Sequence, residues 1–378
     1  MSGLTPMELR ADVPALSEEA YFNYGAHGPS PRYVVERAES FLADHEFTVP
    51  AASDPYQHAF DTYDEVRERV ARFINAAPAE IALTESTTAG INAVADGISW
   101  EDGDVVVRTD LEHPAGTLPW RRLERAGVEV RTVPTEGGRI NRDAFADAVA
   151  DAKLACFSAI TWTHGTQLPV TELVKITHDA GALALVDAVQ VPGQAESDVD
   201  VWDADAVAAA GHKWLLGLWG GGFLYVDHAV ADELAPRRVG YRSVNDASGS
   251  SVSFAPGAER FEVGSANPAP HVALSEAMDT IREVGITTIR DRITALTERF
   301  TDAVPDKQLL TPTPAESGLV TIDVPDPQAT VERLGGAGIT IRSLSDPDAV
   351  RASIHAVNTA TEVDRLAREL DKSTPTDR

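Results

Sequence analysis

The middle of the chain alternates short apolar runs typical of β-strands with amphipathic runs typical of helices. This alternation restricts the possible folds more than any other feature of the sequence does. The strand patterns cover residues 104–108, 128–133, 154–161, 182–186, 206–209 and 222–226. The helix patterns lie between them, at residues 114–126, 142–150 and 170–180. Strands that are separated by helices usually pair in parallel and are buried on both faces. The pattern therefore predicts an α/β fold with a mostly parallel sheet in a large domain.

The pattern changes after about residue 270, where a smaller α+β unit is predicted. Helix patterns cover residues 270–304, 328–336 and 361–370, and strand patterns cover residues 318–324, 340–343 and 350–357. The predicted organisation is an N-terminal segment (1–25) packing with the small domain, a large domain (26–268), the small domain (269–372) and a frayed tail (373–378). Residues 240–268 are rich in Gly, Ser, Asn and Pro, and such a long irregular stretch is expected to be functional.

The charge of the chain excludes several classes of protein. It carries 59 Asp and Glu against 32 Lys and Arg, which gives a net charge of −27. A nucleic-acid-binding protein needs a basic surface, and anionic lipid would repel an acidic one, so neither partner is expected. The longest uncharged apolar stretch, residues 214–226, is too short to span a membrane, and the N-terminus lacks the pattern of a secretory signal. We expect a cytoplasmic protein, and the scarcity of lysine suggests a high-salt cytoplasm, although an ordinary acidic protein is the alternative.

Two predicted strands end in reactive side chains. Asp187 follows the apolar run 182–186, and His212 and Lys213 follow the run 206–209. The carboxyl ends of strands in open α/β sheets are where ligands bind. A buried Asp and Lys could form a simple ion pair, but a lysine in an apolar pocket is also a good imine-forming nucleophile. The chain has only five lysines, and the other four lie in helices, in polar loops or at the amino end of a strand.

A lysine that forms a Schiff base points to pyridoxal phosphate as the cofactor, because that cofactor also needs a carboxylate beside its pyridine nitrogen. Asp187 is the candidate for this carboxylate. The stretch 84–92 begins a predicted helix with several hydroxyl groups and suits a phosphate, although an ordinary N-terminal cap is the alternative. The chain contains neither a P-loop nor a dinucleotide-binding glycine motif, and one cysteine cannot build a cysteine-based zinc site. We therefore expect no metal.

Several motifs together resemble the class V aminotransferase-fold enzymes, which include cysteine desulfurases, selenocysteine lyase, kynureninase and isopenicillin N epimerase. The motifs occur in the family's order over nearly the whole chain. They lie at residues 21–29, 112–115, 158–170, 187–190, 211–226, 260–267 and 350–362. The resemblance implies the fold of type I pyridoxal-phosphate enzymes, with a sheet of the seven-stranded type, and a homodimer.

The resemblance also implies a role for each matching residue. Lys213 would hold the cofactor as a Schiff base and move the Cα proton, Asp187 would pair with the pyridine nitrogen, and His113 would stack on the ring. The other expected cofactor contacts are Gln190 to the ring hydroxyl, Thr87, Thr88 and His212 to the phosphate, and Ser265 to the phosphate of the neighbouring subunit. Arg351 would bind the carboxylate of an amino-acid substrate, with Asn23 and Trp162 also on the substrate side. The alternation of Arg351, Ser353 and His355 with apolar residues supports a polar strand face there, although a surface arginine is the alternative.

Departures from the family pattern bear on the reaction. Cysteine desulfurases carry an acceptor cysteine shortly before the carboxylate-binding arginine, but residues 341–351 contain none. Cys156 lies instead in a predicted buried strand, where a small core residue is the simpler interpretation. Trp162 stands where desulfurases usually have asparagine, and Ala210 replaces a common phosphate-binding serine.

The sequence therefore predicts a pyridoxal-phosphate enzyme acting on an amino acid by transamination, epimerisation or β-elimination. A C–S lyase that works without the usual acceptor cysteine is an alternative. A non-catalytic protein that retained the fold is an alternative from another class.

Overall fold

A computed structural model describes residues 3–372 of the chain. The helices are α1 (Pro6–Ala11), α2 (Arg32–Ala43), α3 (Val49–Ala52), α4 (Pro55–Ile74), α5 (Thr87–Gly97), α6 (Leu118–Leu123), α7 (Arg142–Val149), α8 (Val170–Asp179), α9 (Val199–Trp202), α10 (His228–Ala231), α11 (Ala269–Val284), α12 (Ile286–Thr301), α13 (Pro327–Gly336) and α14 (Ala360–Asp371). The strands are β1 (Ala20–Tyr21), β2 (Ile81–Thr84), β3 (Val105–Thr109), β4 (Glu129–Val133), β5 (Thr135–Glu136), β6 (Arg139–Ile140), β7 (Leu154–Ser158), β8 (Leu183–Asp187), β9 (Ala206–Ala210), β10 (Gly222–Val226), β11 (Leu319–Ile322), β12 (Ile339–Thr340), β13 (Arg342–Ser345) and β14 (Asp348–Ser353).

The large part of the fold is built on a seven-stranded sheet with strand order β2-β10-β9-β8-β7-β3-β4. Neighbours from β9 to β4 are parallel, and β10 is antiparallel to both β9 and β2. The predicted α/β class with a mostly parallel sheet is confirmed. Because β2, β9, β8, β7, β3 and β4 all run in the same direction, their carboxyl ends meet at one edge of the sheet.

Alternate residues of each central strand face two separate hydrophobic cores. In β7, Ala155 and Phe157 belong to one core, while Leu154 and Cys156 belong to the other. Both faces of the sheet are covered by helices, and this explains why the strands read as nearly uninterrupted apolar runs.

The smaller unit is a three-stranded antiparallel sheet with strand order β11-β14-β13. Its core includes residues of α12, α13 and α14 together with Phe22 of the N-terminal segment. The N-terminal segment also pairs with this unit, since β1 is parallel to β12 and Asn23 forms a bridge to Ser353. The domain boundaries predicted from the sequence stay a prediction, and the tail 373–378 lies outside the described residues.

Several elements differ from their sequence-based bounds. The helical pattern 270–304 is two helices that meet at Gly285, whose φ of 87° is in the left-handed region that favours glycine. The helical pattern 114–126 is broken into two short turns flanking α6. The strand patterns 154–161 and 350–357 end early, at Ser158 and Ser353, because the chain leaves the sheet there to build the site.

Candidate active site

Lys213 and Asp187 meet at the carboxyl edge of the seven-stranded sheet. Asp187 is the last residue of β8 and is 3% exposed, and Lys213 follows β9 and is partly buried. Burial lowers the pKa of Lys213 to about 7, although the charge of Asp187 opposes that shift. Burial raises the pKa of Asp187, while a hydrogen bond from the Val189 backbone N–H (3.0 Å) and the charge of Lys213 lower it. The site thus holds an amine that is largely unprotonated above neutral pH beside a buried carboxyl group.

His113 and Trp162 form an aromatic wall beside this lysine. Their rings pack edge to face, with centroids 5.2 Å apart. The His113 Nδ1 atom accepts a hydrogen bond from the Ala115 N–H (3.2 Å), which fixes the ring at the start of a short turn. Burial, and to a smaller extent the charges of Lys213, Arg342 and Arg351, lower the pKa of His113 to about 4. The imidazole is therefore neutral at physiological pH.

Arg351 lies in the middle of β14 and is fully buried. Its Nη1 donates a hydrogen bond to the Trp162 carbonyl oxygen (2.6 Å), and its Nε and Nη2 atoms have no partner among residues 3–372. Burial lowers the pKa of Arg351 to about 9, and the charge of Arg342 adds to that shift. A buried guanidinium with two free donors is what a carboxylate ligand requires.

The N-terminal turn that contains Gly25 packs directly on Arg351. A Cβ atom on Gly25 would lie 2.9 Å from Arg351 Nη2 and 3.0 Å from Ser353 Oγ, so only glycine fits without displacing them. The Asn23 Oδ1 atom in the same turn is buried and has no partner within the described chain. The structure therefore places Asn23 and Trp162 on the same side of the site as Arg351.

Gln190 links this turn to the segment that carries Lys213. Its Nε2 donates to the Gly25 carbonyl oxygen (3.0 Å), and its Oε1 accepts from Trp214 Nε1 (2.7 Å). One N–H of the amide is left over for another partner. The contact that the sequence predicted, to a ring hydroxyl, stays a prediction.

The helix α5 presents its first turn to the same edge of the sheet. Ser86 is the N-cap, and its Oγ accepts from the Ala89 N–H (3.2 Å). Thr87 Oγ1 is buried without a partner in the described part of the chain, whereas Thr88 is exposed. A free hydroxyl at a helix N-terminus suits an anion. Thr87 fits the predicted phosphate contact better than Thr88.

His212 is partly buried beside Lys213 and packs on Trp219, with ring centroids 5.0 Å apart. Burial lowers its pKa to about 4, and the charges of Lys213 and His27 add to this. His212 can therefore offer a phosphate a neutral ring N–H rather than a charge.

Ser265 lies beside α5 in its own chain. It is exposed and lines a cavity of about 390 Å³ together with Ala89, Asn92 and Asp96. Those three residues share one face of α5, and Thr87 is not on it. Ser265 therefore lies beside a different face of α5 from the one that carries Thr87.

Two neighbours of the site were not predicted from the sequence. Arg342 lies directly opposite Arg351 in the β13–β14 pair, and finding it required the strand register. Glu112 is buried between the hydroxyls of Thr109 and Ser158, each 2.6 Å from a carboxylate oxygen. Burial raises the pKa of Glu112 to about 7, against the hydrogen bonds that lower it. The position of Glu112 directly before His113 in the sequence could have identified it as a neighbour of the site.

Cys156 is fully buried in β7, as its apolar neighbours predicted. Burial raises the pKa of its thiol well above the usual value, and the nearby Glu112 charge adds to this. A buried thiol of raised pKa is a poor nucleophile.

Comparison with known proteins agrees with this geometry. The profile of the aminotransferase class-V family matches residues 20–366, which is nearly the whole described chain. The chain belongs to this family. Class V aminotransferases are enzymes, and the predicted family resemblance is confirmed.

The named relatives are cysteine desulfurases and a C–S lyase. A probable cysteine desulfurase of Methanothermobacter thermautotrophicus is 33% identical, over 97% of each chain. The apo structure of a cysteine desulfurase from Thermococcus onnurineus NA1 superposes with a TM-score of 0.91 at 28% identity, covering 98% of this chain and 99% of that one. The cystine C–S lyase C-DES, in complex with its product cysteine persulfide, superposes with a TM-score of 0.90 at 26% identity, covering 96% and 100%.

Neither a membrane-spanning helix nor a cluster of metal ligands occurs in the described part of the chain. No helix within residues 3–372 is long and apolar enough to cross a membrane. The same residues contain no group of three or more His, Cys, Asp or Glu arranged to hold a metal ion.

Proposed function

We propose that this class V family member is a pyridoxal-phosphate-dependent C–S lyase that acts on a sulfur-containing amino acid and releases the sulfur into solution. The relatives named as cysteine desulfurases and the cystine C–S lyase support cleavage of a C–S bond. The observation that carries release into solution is the burial of Cys156, the only cysteine in the chain. Sulfur from a substrate has no accessible thiol on this chain to accept it.

The residues present fit pyridoxal phosphate. Lys213 offers an amine that is largely unprotonated above pH 7, Asp187 offers a carboxylate for the pyridine nitrogen, and Thr87 offers a free buried hydroxyl for the phosphate. His113 offers the face of a neutral ring, while His212 and Gln190 each have a donor to spare. A structural neighbour is a lysine-to-alanine variant of C-DES with glycine covalently linked to its PLP cofactor, which supports the same cofactor here. Pyridoxal phosphate, when bound, supplies the electron-withdrawing ring that stabilises negative charge at the substrate Cα.

Arg351 orients the substrate. Its free Nε and Nη2 bind the α-carboxylate in a bidentate fork, which satisfies the buried guanidinium. Asn23 and Trp162 close the same side of the site. This arrangement directs the substrate Cα–H toward Lys213, which takes the proton as an unprotonated amine.

The proposed reaction is balanced without an oxidant or reductant. Lys213 removes the Cα proton, the Cβ–S bond breaks, and its electron pair leaves with the sulfur as a thiolate or persulfide. The remaining three-carbon fragment adds water and departs as pyruvate and ammonia. Because no protein thiol takes part, the sulfur product diffuses away as a small molecule.

The position of Ser265 supports the proposal of a homodimer. Ser265 is exposed on its own chain and shares a cavity with a face of α5 that does not carry Thr87, which suits a contact with the phosphate of another subunit. Light scattering of the protein with bound cofactor tests this, and a monomer with full activity would contradict it.

A product assay tests the proposed reaction. The protein loaded with pyridoxal phosphate is incubated with L-cystine and L-cysteine, and pyruvate, sulfide, persulfide, other keto acids and D-enantiomers are measured. We expect pyruvate and soluble sulfur products, no activity in Lys213→Ala, and kcat in Cys156→Ala within about 3-fold of wild type because that thiol only packs.

Other products would support the other reactions predicted from the sequence. A keto acid that keeps its sulfur indicates transamination, and a D-enantiomer indicates epimerisation. Persulfide found on Cys156 would contradict release into solution. Protein that stays colourless after addition of pyridoxal phosphate in high salt would favour a non-catalytic role.

A further inference from the structure

A buried carboxyl group lies directly beside the turn that carries His113. Glu112 is 7% exposed, and its two oxygens lie 2.6 Å from the hydroxyls of Thr109 and Ser158. Thr109 ends β3 and Ser158 ends β7, so the carboxyl group bridges two strand ends at the edge of the sheet where the candidate site lies. The proposed reaction uses none of these three side chains.

The Glu112 side chain and the hydrogen bonds within the turn hold His113 from two sides. The His113 carbonyl oxygen accepts from the Gly116 N–H (2.8 Å) and from the Thr117 hydroxyl (3.2 Å). A Cβ atom on Gly116 would lie 3.5 Å from Glu112 Oε2, so the turn packs directly on the carboxyl group. The position of the His113 ring beside Lys213 therefore depends on the Glu112 side chain.

The groups around Glu112 favour a neutral carboxylic acid. Within residues 3–372, the carboxyl group is bonded to hydroxyls and forms no ion pair with a Lys, Arg or His side chain. Arg108, the charged neighbour on β3, donates instead to the Thr109 carbonyl oxygen (2.9 Å). Because a hydroxyl accepts as well as donates, Thr109 and Ser158 can also serve a protonated carboxyl group. An unpaired buried carboxylate is costly, so the protonated form is the better match.

A second carboxyl group lies on the neighbouring strand. Ser158 pairs in register with Asp187 of β8, and adjacent strands lie about 4.8 Å apart. Burial raises the pKa of Glu112 to about 7, and the charge of Asp187 adds to this. The nearby Cys156 thiol and His113 imidazole are both neutral, because burial raises the pKa of the thiol and lowers that of the imidazole. Ionisation of Asp187 therefore keeps the proton on Glu112.

We propose that Glu112 is a positioning residue of the site, which in its neutral form holds the His113 turn on the ends of β3 and β7 and leaves Asp187 as the anion for the pyridine nitrogen. This inference rests on the proposed function for the roles of His113 and Asp187. A neutral acid braces the turn without adding a second negative charge beside Asp187. An ionised Glu112 would repel the Asp187 carboxylate and so weaken its pairing with the pyridine nitrogen.

Infrared spectroscopy tests the charge of Glu112 without any substrate. Spectra of the wild-type protein, as apoprotein and loaded with pyridoxal phosphate, are compared with those of Glu112→Gln at about pH 6. We expect a C=O stretch of a neutral carboxylic acid that is present in the wild type and missing from Glu112→Gln. In the apoprotein this stretch should fade as the pH rises through about 7. Wild-type spectra that contain no such stretch would overturn the proposal.

Glu262 supplies a matched control for the infrared comparison. It is 8% exposed, and its oxygens accept from Arg67 Nη2 (3.0 Å) and Arg242 Nη2 (2.8 Å). A carboxylate between two arginines stays ionised, so Glu262→Gln should leave the C=O stretch of the neutral acid unchanged. A stretch that disappears in Glu262→Gln and persists in Glu112→Gln would overturn the assignment to Glu112.

The affinity for pyridoxal phosphate tests the positioning role. In equilibrium titrations of the apoprotein, Glu112→Ala should bind about 10-fold more weakly than wild type, the order of one lost aromatic stacking contact, because the His113 ring is no longer held. Glu112→Gln keeps the shape and the neutral charge, so its affinity should stay within about 3-fold of wild type. Wild-type affinity in Glu112→Ala, or an equal loss in both variants, would overturn the proposal. If Glu112→Ala does not fold, Glu112→Gln and the infrared comparison still decide.

Failure of the inference is distinguishable from failure of the proposed function. Neither measurement needs a sulfur-containing substrate, so a protein that binds pyridoxal phosphate and cleaves no C–S bond contradicts the lyase proposal alone. A protein that cleaves C–S bonds but carries an ionised Glu112 at about pH 6 overturns this inference alone.

Discussion

At the scale of single residues, the site depends on keeping reactive groups away from water. Lys213 loses hydration at the end of β9, and this lowers its pKa to about 7 even though Asp187 is close by. The same loss of water raises the pKa of Asp187. The two groups therefore have opposite shifts for one physical reason, and both shifts favour the neutral forms until a charged ligand arrives.

The pKa of Lys213 predicts how uptake of pyridoxal phosphate depends on pH. Only the unprotonated amine attacks the aldehyde, so the rate constant should rise about tenfold per pH unit below pH 7 and level off above it. Stopped-flow absorbance after mixing the apoprotein with pyridoxal phosphate measures this. Lys213→Ala is the control, and borohydride should leave no cofactor covalently attached to it. A rate that keeps rising up to pH 10 would show that the lysine has an ordinary pKa.

At the scale of elements, β14 carries Arg351 at an energetic cost. Within residues 3–372 this buried guanidinium has two free donor atoms, and its single hydrogen bond to Trp162 only partly offsets the desolvation penalty. The strand tolerates this because its neighbours β11 and β13 hold it on both sides. The element is therefore built for binding rather than for stability.

Replacing Arg351 should separate stability from function. We expect Arg351→Met to leave the free energy of unfolding of the ligand-free protein unchanged or to raise it by about 1–2 kcal/mol, because the uncompensated charge is removed. The kcat/KM for an amino-acid substrate should fall by about 100-fold. Urea unfolding and steady-state kinetics measure the two effects.

The control for this variant is an arginine that has its partner. Arg10 lies 2.7 Å from Glu362 and both side chains are mostly buried, so Arg10→Met should lower the free energy of unfolding by about 1–3 kcal/mol. Equal destabilisation by the two variants would show that Arg351 is paired in the ligand-free protein.

The junction between α11 and α12 gives a second prediction at this scale. Gly285 has φ 87° and ψ 123°, and a Cβ there would meet only Thr288 Oγ1 at 3.7 Å, so any cost of Gly285→Ala comes from the backbone. We expect the free energy of unfolding to fall by about 1–3 kcal/mol, as measured by urea unfolding.

Gly335 is the matched control for this substitution. It lies inside α13, and a Cβ added there would have no atom within 4 Å, so Gly335→Ala should raise the free energy of unfolding by about 0.5–1 kcal/mol. A neutral Gly285→Ala would mean that the two helices can meet in another conformation.

At the scale of the whole molecule, the net charge of −27 acts on stability rather than on fold. Repulsion among so many carboxylates opposes the compact state, and salt screens it. The melting temperature should therefore rise by roughly 5–10 °C between 0.1 and 2 M KCl. Differential scanning fluorimetry measures this. Sucrose is the control, because it is excluded from the protein surface and stabilises the folded state without screening charge. A melting temperature that does not change with KCl would contradict the prediction of a high-salt cytoplasm.

The sequence predicted the architecture of the sheet because that information is local. Apolar runs ending in Asp187 and Lys213 identify strands whose carboxyl ends share an edge, whatever their order. It did not predict β2 or the antiparallel direction of β10, since direction depends on pairing between distant segments. It also missed the break at Gly285, because both helices keep an apolar face and one glycine is a weak signal.

By itself, the sequence determined the fold class, the family, the pairing of a lysine with an aspartate at one sheet edge, and the lack of an acceptor cysteine before Arg351. Only the tertiary structure decided which polar atoms are left free. The Thr87 hydroxyl is buried whereas Thr88 is exposed, and Cys156 is inaccessible. Within residues 3–372, Arg342 lies opposite Arg351 and no carboxylate is paired with either. The physical reason is that burial, strand register and the satisfaction of hydrogen bonds depend on contacts between segments that are far apart in the chain.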